Sequence, residues 1–336
     1  MKSLLKLRRS LQKFYNKNAV WVQAVLKFLL ALTVFQMIQM QIGSAQTIRS
    51  VMITVVLAVV SAFLSTNVIA VFAGILFMYH LSSLSPEALG VGGAVILIVG
   101  LVYFGTGPKE SYALLLTPVT LALHIPCLMP VILGLVEGPS AAWGIAAGTI
   151  LYYTMQILTG SAYMTIPGEG MDEILSHIMG VLNEIVRAND IILMTIILLL
   201  VFAVVSMIRR MSVDYAWYLA IGTGVFSYIL LEVIAIVAMN SQESLIGTFL
   251  SAVVTVFAAM AVQIFVFSVD YRRTERIQFE DDDFYYYVKA VPKIGRKKRK
   301  AEIPAQMESQ PYQQRWEQPK NVTQTADGWQ KEMQRV

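Results

Sequence analysis

Two interruptions in long apolar segments hold the residues of this chain that are best suited to bind a ligand. One is Ser65-Thr66-Asn67; the other runs from Leu123 to Pro130, on the far side of one apolar span, as in a pseudo-symmetric pair. A helix that is broken inside a membrane leaves backbone groups without helical partners, and transporters use such groups to hold substrates. Ordinary short helices joined by turns are the alternative. The predicted substrate site consists of Ser65, Thr66, Asn67, Thr117, His124 and the carbonyl groups near Pro126.

Glu232 is the only acidic residue well inside a predicted span. A carboxylate at membrane depth is costly to keep there, so it is by default a candidate functional group. It lies near the outer end of its span, however, and a solvated or paired structural role is the alternative.

The common catalytic and nucleotide-binding motifs are missing from the sequence. It contains no G-x-x-x-x-G-K-[ST], no H-E-x-x-H and no G-x-S-x-G, and its three histidines are isolated from one another. We therefore expect no enzyme activity, no metal site and no cofactor. Because the phosphate-binding loop is absent, a transporter built from this chain would need an ion gradient or a partner ATPase subunit. Cys127 is the only cysteine, which excludes an intrachain disulfide.

The composition places the middle of the chain in lipid. Of the 336 residues, 56% are hydrophobic and 14% are charged, whereas soluble domains have about 25% charged residues. From Ser50 to Pro108 there is no lysine or arginine, and Glu87 is the only acid. A backbone in lipid must satisfy its own hydrogen bonds, and without the alternating pattern of barrel strands this means helices. The predicted fold is an all-α, polytopic integral membrane bundle with short interrupted helices.

The spans follow from apolar length and from helix-breaking residues. Ala19 to Ile42 predicts an uncleaved first span rather than a secretory signal, because it is long and contains Lys27. Arg49 to Leu81 predicts two short helices, about 50–64 and 67–81, with one long tilted helix as the alternative. We expect about ten spans, with both interrupted segments crossing twice; about eight, with each crossing once, is the alternative, and re-entrant segments are a third arrangement. The Gly144/Gly148 pair predicts close contact between helices.

The chain is expected to divide into regions of different composition. These are a basic amphipathic interfacial helix (1–18), a membrane region with interrupted helices (19–160), an extracytoplasmic amphipathic helix (161–189), three transmembrane helices (190–268) and a cytoplasmic tail (269–336). In the tail, residues 276–279 and 284–291 predict two strands joined by an acidic turn. An isolated hairpin is marginal in water, so it should dock on the membrane, on the chain's own loops or on a partner protein. The Gln-rich end is expected to be disordered.

Charge bias predicts the orientation. The N-terminal arm, Arg209-Arg210 and residues 272–300 are basic, whereas residues 160–189 are acidic on balance. Lysine and arginine mark cytoplasmic loops, so both termini should be cytoplasmic in a cell-membrane protein. The basic runs flank apolar spans, which indicates anionic lipid headgroups rather than nucleic acid as their partner. The predicted lipid-anchoring residues are Arg8, Arg9, Lys297 and Lys298.

Two stretches resemble a known group of proteins. LLLTPVTLALHIPCLMPVILGLVEGP, with the later Tyr152-Tyr153, and FEDDDFYYYVKAVPK resemble multi-pass membrane proteins of clostridia-type Gram-positive bacteria, a group with no established activity to carry over. The short helices from 50 to 160 are also similar in style to the substrate-binding membrane subunits of energy-coupling-factor transporters and to the rod-shape protein MreD. No binding residues match well enough to transfer, and the Ala-Arg-Gly coupling motifs of those transporters are missing.

Two functions remain in view. A small-solute transporter or permease, or a subunit of one, is favoured by the paired helix interruptions and the lack of large soluble regions. A membrane scaffold for a cell-envelope or secretion assembly is the alternative, favoured by the expected tail hairpin and the basic anchors.

Overall fold

The computed structural model describes most of the chain. The described residues are Ser10, 14–42, 48–106, 111–161, 170–211, 213–239, 244–266, 275–280 and 285–290. They belong to one compact unit, Met1–Pro292; the second unit, Lys293–Val336, lies outside the described residues.

Helices account for nearly all of the described residues. In chain order they are α1 (Ala19–Ile42), α2 (Ile48–Ser61), α3 (Thr66–Ser82), α4 (Pro86–Gly105), α5 (Tyr112–Ala122), α6 (Leu128–Val136), α7 (Ala141–Gly160), α8 (Met171–Arg187), α9 (Asn189–Arg210), α10 (Ala216–Met239) and α11 (Leu245–Val266). Two strands follow, β1 (Glu275–Glu280) and β2 (Tyr285–Ala290).

Among the described residues, five helices are long and apolar enough to cross a membrane. They are Ala19–Gln41, Pro86–Gly105, Met171–Arg210 (α8 and α9 counted together), Ala216–Ala238 and Leu245–Val266. This supports the expected membrane-embedded helical protein. Length and composition alone do not yield about ten or about eight spans, so those counts stay predictions.

The first interrupted segment forms two helices, as expected, rather than one long helix. α2 ends at Ser61 and α3 begins at Thr66, after Ser65 in extended backbone. α1 and α2 run antiparallel. Thr54 Oγ1 of α2 donates to Gln39 Oε1 (3.3 Å) near the end of α1, and Lys27 Nζ near its start donates to the Leu64 carbonyl (2.9 Å).

The second interrupted segment forms a short helical hairpin, α5–α6. α5 has 11 residues and α6 has 9, which at about 1.5 Å per residue makes them about 16 Å and 14 Å long. Between them lies the hairpin tip, Leu123 to Cys127. His124 there takes the left-handed backbone conformation, with φ 56°, and Pro126 follows where a helix could not continue.

The Gly144/Gly148 pair packs α7 against α5, as expected. A Cβ on Gly148 would lie 2.9 Å from Thr117 Cβ, and one on Gly144 would meet Ala113. The residue numbers of the contacting positions increase in the same direction along the two helices. α5 and α7 are therefore parallel and begin at the same end of the bundle.

α6 returns to the end of the bundle from which α5 starts. A Cβ on Gly134 would lie 2.8 Å from Val205 Cγ1, and Arg209 Nη2 donates to the Glu137 carbonyl (3.0 Å), just beyond α6. We call this end, where α9 finishes with Arg209-Arg210, the basic end; the other is the far end. The hairpin therefore enters from the basic end and goes back to it.

α8 is amphipathic, as expected. Val181 is buried, while Asp172 and Glu173 in the first turn are exposed. Part of its apolar surface is also exposed: Met171 by 73% and Met179 by 63%. Ala188 alone separates α8 from α9, so the amphipathic helix leads directly into an apolar one.

The two strands of the tail pair antiparallel. Arg276 lies opposite Lys289, and Phe279 lies opposite Tyr286. The connecting residues 281–284 and the basic run that follows are outside the described residues.

Candidate functional site

A group of polar side chains joins the start of α3 to the start of α5. The backbone N–H of Ser111 donates to Thr66 Oγ1 (3.4 Å), and Ser111 Oγ donates to Asn67 Oδ1 (2.7 Å). Ser111 and Thr66 are fully buried, and the Tyr103 side chain is also hydrogen-bonded to Ser111. We call Thr66, Asn67, Tyr103 and Ser111 the Ser111 cluster. A buried hydroxyl and amide need such partners, since leaving one unsatisfied costs about 1–3 kcal/mol.

Lys27 fixes the turn between α2 and α3. Its ammonium lies 2.9 Å from the Leu64 carbonyl oxygen, and the side chain is half-buried. Carbonyl groups at the end of a helix lack helical partners and carry partial negative charge, which a cation offsets. Lys27 of α1 thereby holds the turn that joins the two short helices.

The structure brings together only part of the predicted substrate site. Thr66 and Asn67 belong to the Ser111 cluster, whereas Ser65 is exposed and makes no side-chain cap bond. Thr117 is buried against α7 and donates to the Ala113 carbonyl of its own helix (2.7 Å). His124 is exposed at the tip of the α5–α6 hairpin.

An apolar cavity of about 120 Å³ lies beside the Ser111 cluster, between α1, α3, α4, α5 and α7. Its walls include Met37, Phe77 and Pro118, together with Tyr103 and Tyr152. Tyr103 belongs to the cavity and to the Ser111 cluster alike, so its side chain connects the polar group to an otherwise apolar space. The Tyr152 hydroxyl accepts a hydrogen bond from Gln156 Nε2 (2.8 Å). An apolar cavity of about 150 Å³ holds benzene in another protein, so this space suits a small and largely apolar ligand.

A second polar group surrounds the hairpin tip. Cys127 is fully buried; its thiol lies beside the Thr255 side chain and close enough to Glu232 for electrostatic interaction. Glu232 is 1% exposed, which places a carboxylate inside the packed helices. Ser251, one turn from Thr255 on α11, is also 1% exposed. The thiol, the hydroxyls and the carboxylate come from three separate parts of the chain.

Sequence reasoning missed Ser111 and Tyr103. They lie at the two sides of the α4–α5 connection and carry no motif, so only the packing of α3 against α5 shows their role. The predicted lipid-anchoring residues Arg8, Arg9, Lys297 and Lys298 lie outside the described residues. Within the described part of the chain, no three or more His, Cys, Asp or Glu side chains are placed to hold a metal ion.

Comparisons with protein-family models, with curated proteins and with solved structures find no match to this chain. The resemblance carried by the two sequence stretches therefore stays an expectation, and function has to be argued from geometry.

Proposed function

We propose that this chain is a small-solute transporter, or the membrane subunit of one, in the cell membrane. The observation that carries the proposal is the half-length hairpin α5–α6. At about 16 Å, α5 covers about half of a hydrocarbon core of about 30 Å. A hairpin of this kind leaves helix ends near mid-membrane, where transporters bind their substrates.

The proposed topology has eight crossings and one re-entrant hairpin. α1, α4, α7, α9, α10 and α11 cross, and α2 and α3 are two short crossings. Support for the short crossings comes from the ends of α3: Thr66 lies beside Ser111 at the start of α5, and Leu81 lies beside Gly92 near the far end. The eight crossings match the lower of the two expected counts, but they are composed differently, because α5–α6 contributes none.

An even number of crossings places both termini on the same side. The basic end carries Arg209-Arg210 and follows the basic N-terminal arm, so we assign it to the cytoplasm. The basic arm and the tail then contact anionic headgroups of the inner leaflet. α8 lies along the outer surface, with its exposed methionines in the lipid boundary.

The cavity beside the Ser111 cluster supports a substrate class. Its apolar walls favour a small molecule without net charge, because a buried charge would need a partner of opposite sign. Tyr103 and Tyr152 provide hydroxyl groups for one polar function of that molecule. Transport against a gradient needs energy from an ion gradient or a partner ATPase subunit, since the chain has no phosphate-binding loop.

Accumulation of small molecules tests the proposal. Cells that express the chain are compared with cells that do not by untargeted mass spectrometry, at equal membrane abundance of each variant. We expect at least one solute to change with the chain, and the change to be lost in Asn67→Ala and in His124→Ala. Ser82→Ala is the control, because its hydroxyl bonds the Tyr79 carbonyl of its own helix. If no solute differs, the chain is not a transporter; if both variants behave as wild type, the site is wrong.

A scaffold for a cell-envelope or secretion assembly is the second candidate. It is favoured by the paired strands β1 and β2. Their aromatic residues would not be needed in a tail that only keeps the chain soluble, and an isolated hairpin is marginally stable in water. Deleting residues 270–300 should then release a protein that co-purifies with the full chain in mild detergent. A partner set unchanged by the deletion would count against this function.

A further inference from the structure

The tip of the α5–α6 hairpin places a buried carboxylate at the end of a half-length helix. A Cβ on Gly224 of α10 would lie 3.6 Å from Val131 Cγ2 of α6, which fixes how the two helices lie along each other. Cys127 is one turn from Val131 towards the far end, and Glu232 lies about two turns from Gly224 in the same direction. Glu232 therefore sits next to and just beyond the first residues of α6.

Two hydroxyl groups on α11 lie near this position. Thr255 lies beside the Cys127 thiol, and Ser251 lies one turn nearer the far end on the same buried face. α11 runs antiparallel to α10, so Ser251, about two turns after its start, is at the height of Glu232, about two turns before the end of α10. Among the described residues, the Ser251 hydroxyl has no hydrogen-bond partner although it is 1% exposed.

In the described part of the chain, the charged residues of the helices packed against α10 lie at the two ends of α9. α6 and α11 contain no charged residue, and α9 carries Asp190 in its first turn and Arg209-Arg210 in its last. On α10 itself, Tyr228 is one turn from Glu232 and buried. The Cys127 thiol of α6 lies close enough to Glu232 for electrostatic interaction. A carboxylate that is removed from water is costly unless a proton or a small cation neutralises it.

We propose that Glu232, Ser251 and Thr255 form a binding site for a monovalent cation, either a proton or a sodium ion, at the tip of the α5–α6 hairpin. Carboxylate and hydroxyl oxygens are suited to both ions, and transporters bind coupling ions where membrane helices are broken. The ion site stands on the geometry of the tip. The use of the bound ion as an energy source rests on the proposed transport function. If that function holds, the ion site indicates that an ion gradient, and not an ATPase subunit, drives transport.

A hydrophobic carbodiimide tests the site without knowledge of any substrate. The reagent adds a protonated carboxyl group across one C=N bond, and an acyl shift from oxygen to nitrogen leaves a stable N-acylurea on the side chain. The full chain in mild detergent is treated over a pH range in sodium chloride or choline chloride, and modification is located by peptide mass spectrometry. Glu87, also buried at 4% exposed but near the start of α4, is the internal control.

We expect Glu232 to be modified, with a rate that falls as the pH rises because the reactive form is protonated. Slower modification in sodium than in choline identifies a sodium site, and equal rates identify a proton site. In a sodium site, Ser251→Ala should raise the sodium concentration for half protection about tenfold, as expected for a lost ligand bond. In a proton site it should shift the pH midpoint. Thr248→Val should do neither, since that hydroxyl bonds the Ser244 carbonyl of its own helix.

The proposal is overturned if Glu232 stays unmodified at every pH, or if its modification responds to neither pH nor sodium. It is also overturned if Ser251→Ala and Thr248→Val behave alike. A chain that moves no solute but shows the expected labelling loses the transport function and keeps the ion site. A chain that moves solute without the labelling keeps transport and loses the ion site.

Discussion

Arg209 Nη2 lies 3.0 Å from the carbonyl oxygen of Glu137, so the last turn of α9 holds the end of α6. A second nitrogen of the same guanidinium donates to the Leu135 carbonyl. The end of the α5–α6 hairpin is thereby fixed at the basic end.

Replacing Arg209 should therefore destabilise the bundle more than replacing its neighbour. Arg209→Ala leaves the carbonyls of Leu135 and Glu137 without this donor, and hydrogen bonds to charged groups contribute about 1.5–3 kcal/mol each. Because Arg209 is half-exposed and water can partly replace both bonds, we expect a total loss of only about 2 kcal/mol in denaturant unfolding in mixed micelles. Arg210 is exposed, and Arg210→Ala should change stability by less than about 0.5 kcal/mol. Equal losses in the two variants would mean that net charge, and not this contact, matters.

The Asn67–Ser111 hydrogen bond should appear as an energetic coupling between α3 and α5. Asn67→Ala and Ser111→Ala each break the same 2.7 Å bond, so their effects should not add. The double-mutant cycle is expected to give about 1 kcal/mol of interaction energy from unfolding experiments. Ser65→Ala combined with Ser111→Ala is the control pair and should be additive, because Ser65 makes no cap bond.

Two glycines in membrane helices should respond to alanine in opposite directions. A methyl group on Gly144 would meet Ala113 and lie 3.0 Å from the Leu114 nitrogen, whereas nothing lies within 4 Å of the same atom on Gly90. Gly90→Ala should stabilise by up to about 1 kcal/mol through helix propensity. Gly144→Ala should destabilise by about 1–3 kcal/mol, because α7 has to move away from α5. Thermal unfolding of both variants gives the comparison.

A transporter should admit water to the hairpin tip but not to the lipid-facing surface. His124 and Phe257 are both exposed, Phe257 by 70%, yet only the tip belongs to the proposed path. His124→Cys should react with a membrane-impermeant maleimide in sealed vesicles, and Phe257→Cys should not. Cys127 is fully buried and should not contribute to the signal. If neither position reacts, water does not reach the hairpin tip, and the transport proposal is weakened.

Local features of the sequence predicted the helices well, and contacts between distant parts poorly. The break at Ser65 to Asn67, the amphipathic α8 and the close packing at Gly144 follow from residue types within a few turns of one another. Asn67 and Ser111 are 44 residues apart, and nothing local indicates that they meet.

Thr117 shows why the predicted substrate site came together only in part. A threonine in a helix can satisfy its hydroxyl on a carbonyl of the preceding turn, as Thr117 does on Ala113. The sequence pattern does not distinguish that bond from a ligand contact. The height of His124 above the Ser111 cluster depends on the length and direction of α5, which become definite only in the folded bundle.

At His124, the effect of the backbone conformation can be measured separately from the effect of the imidazole ring. A left-handed φ of 56° costs a residue with a side chain about 1–2 kcal/mol, whereas glycine adopts it freely. His124→Gly should therefore raise the unfolding temperature while removing the imidazole. If the variant is more stable but inactive, the imidazole ring is required for function and the strained bend serves to position it. If the variant is more stable and fully active, the bend serves only to reverse the chain direction.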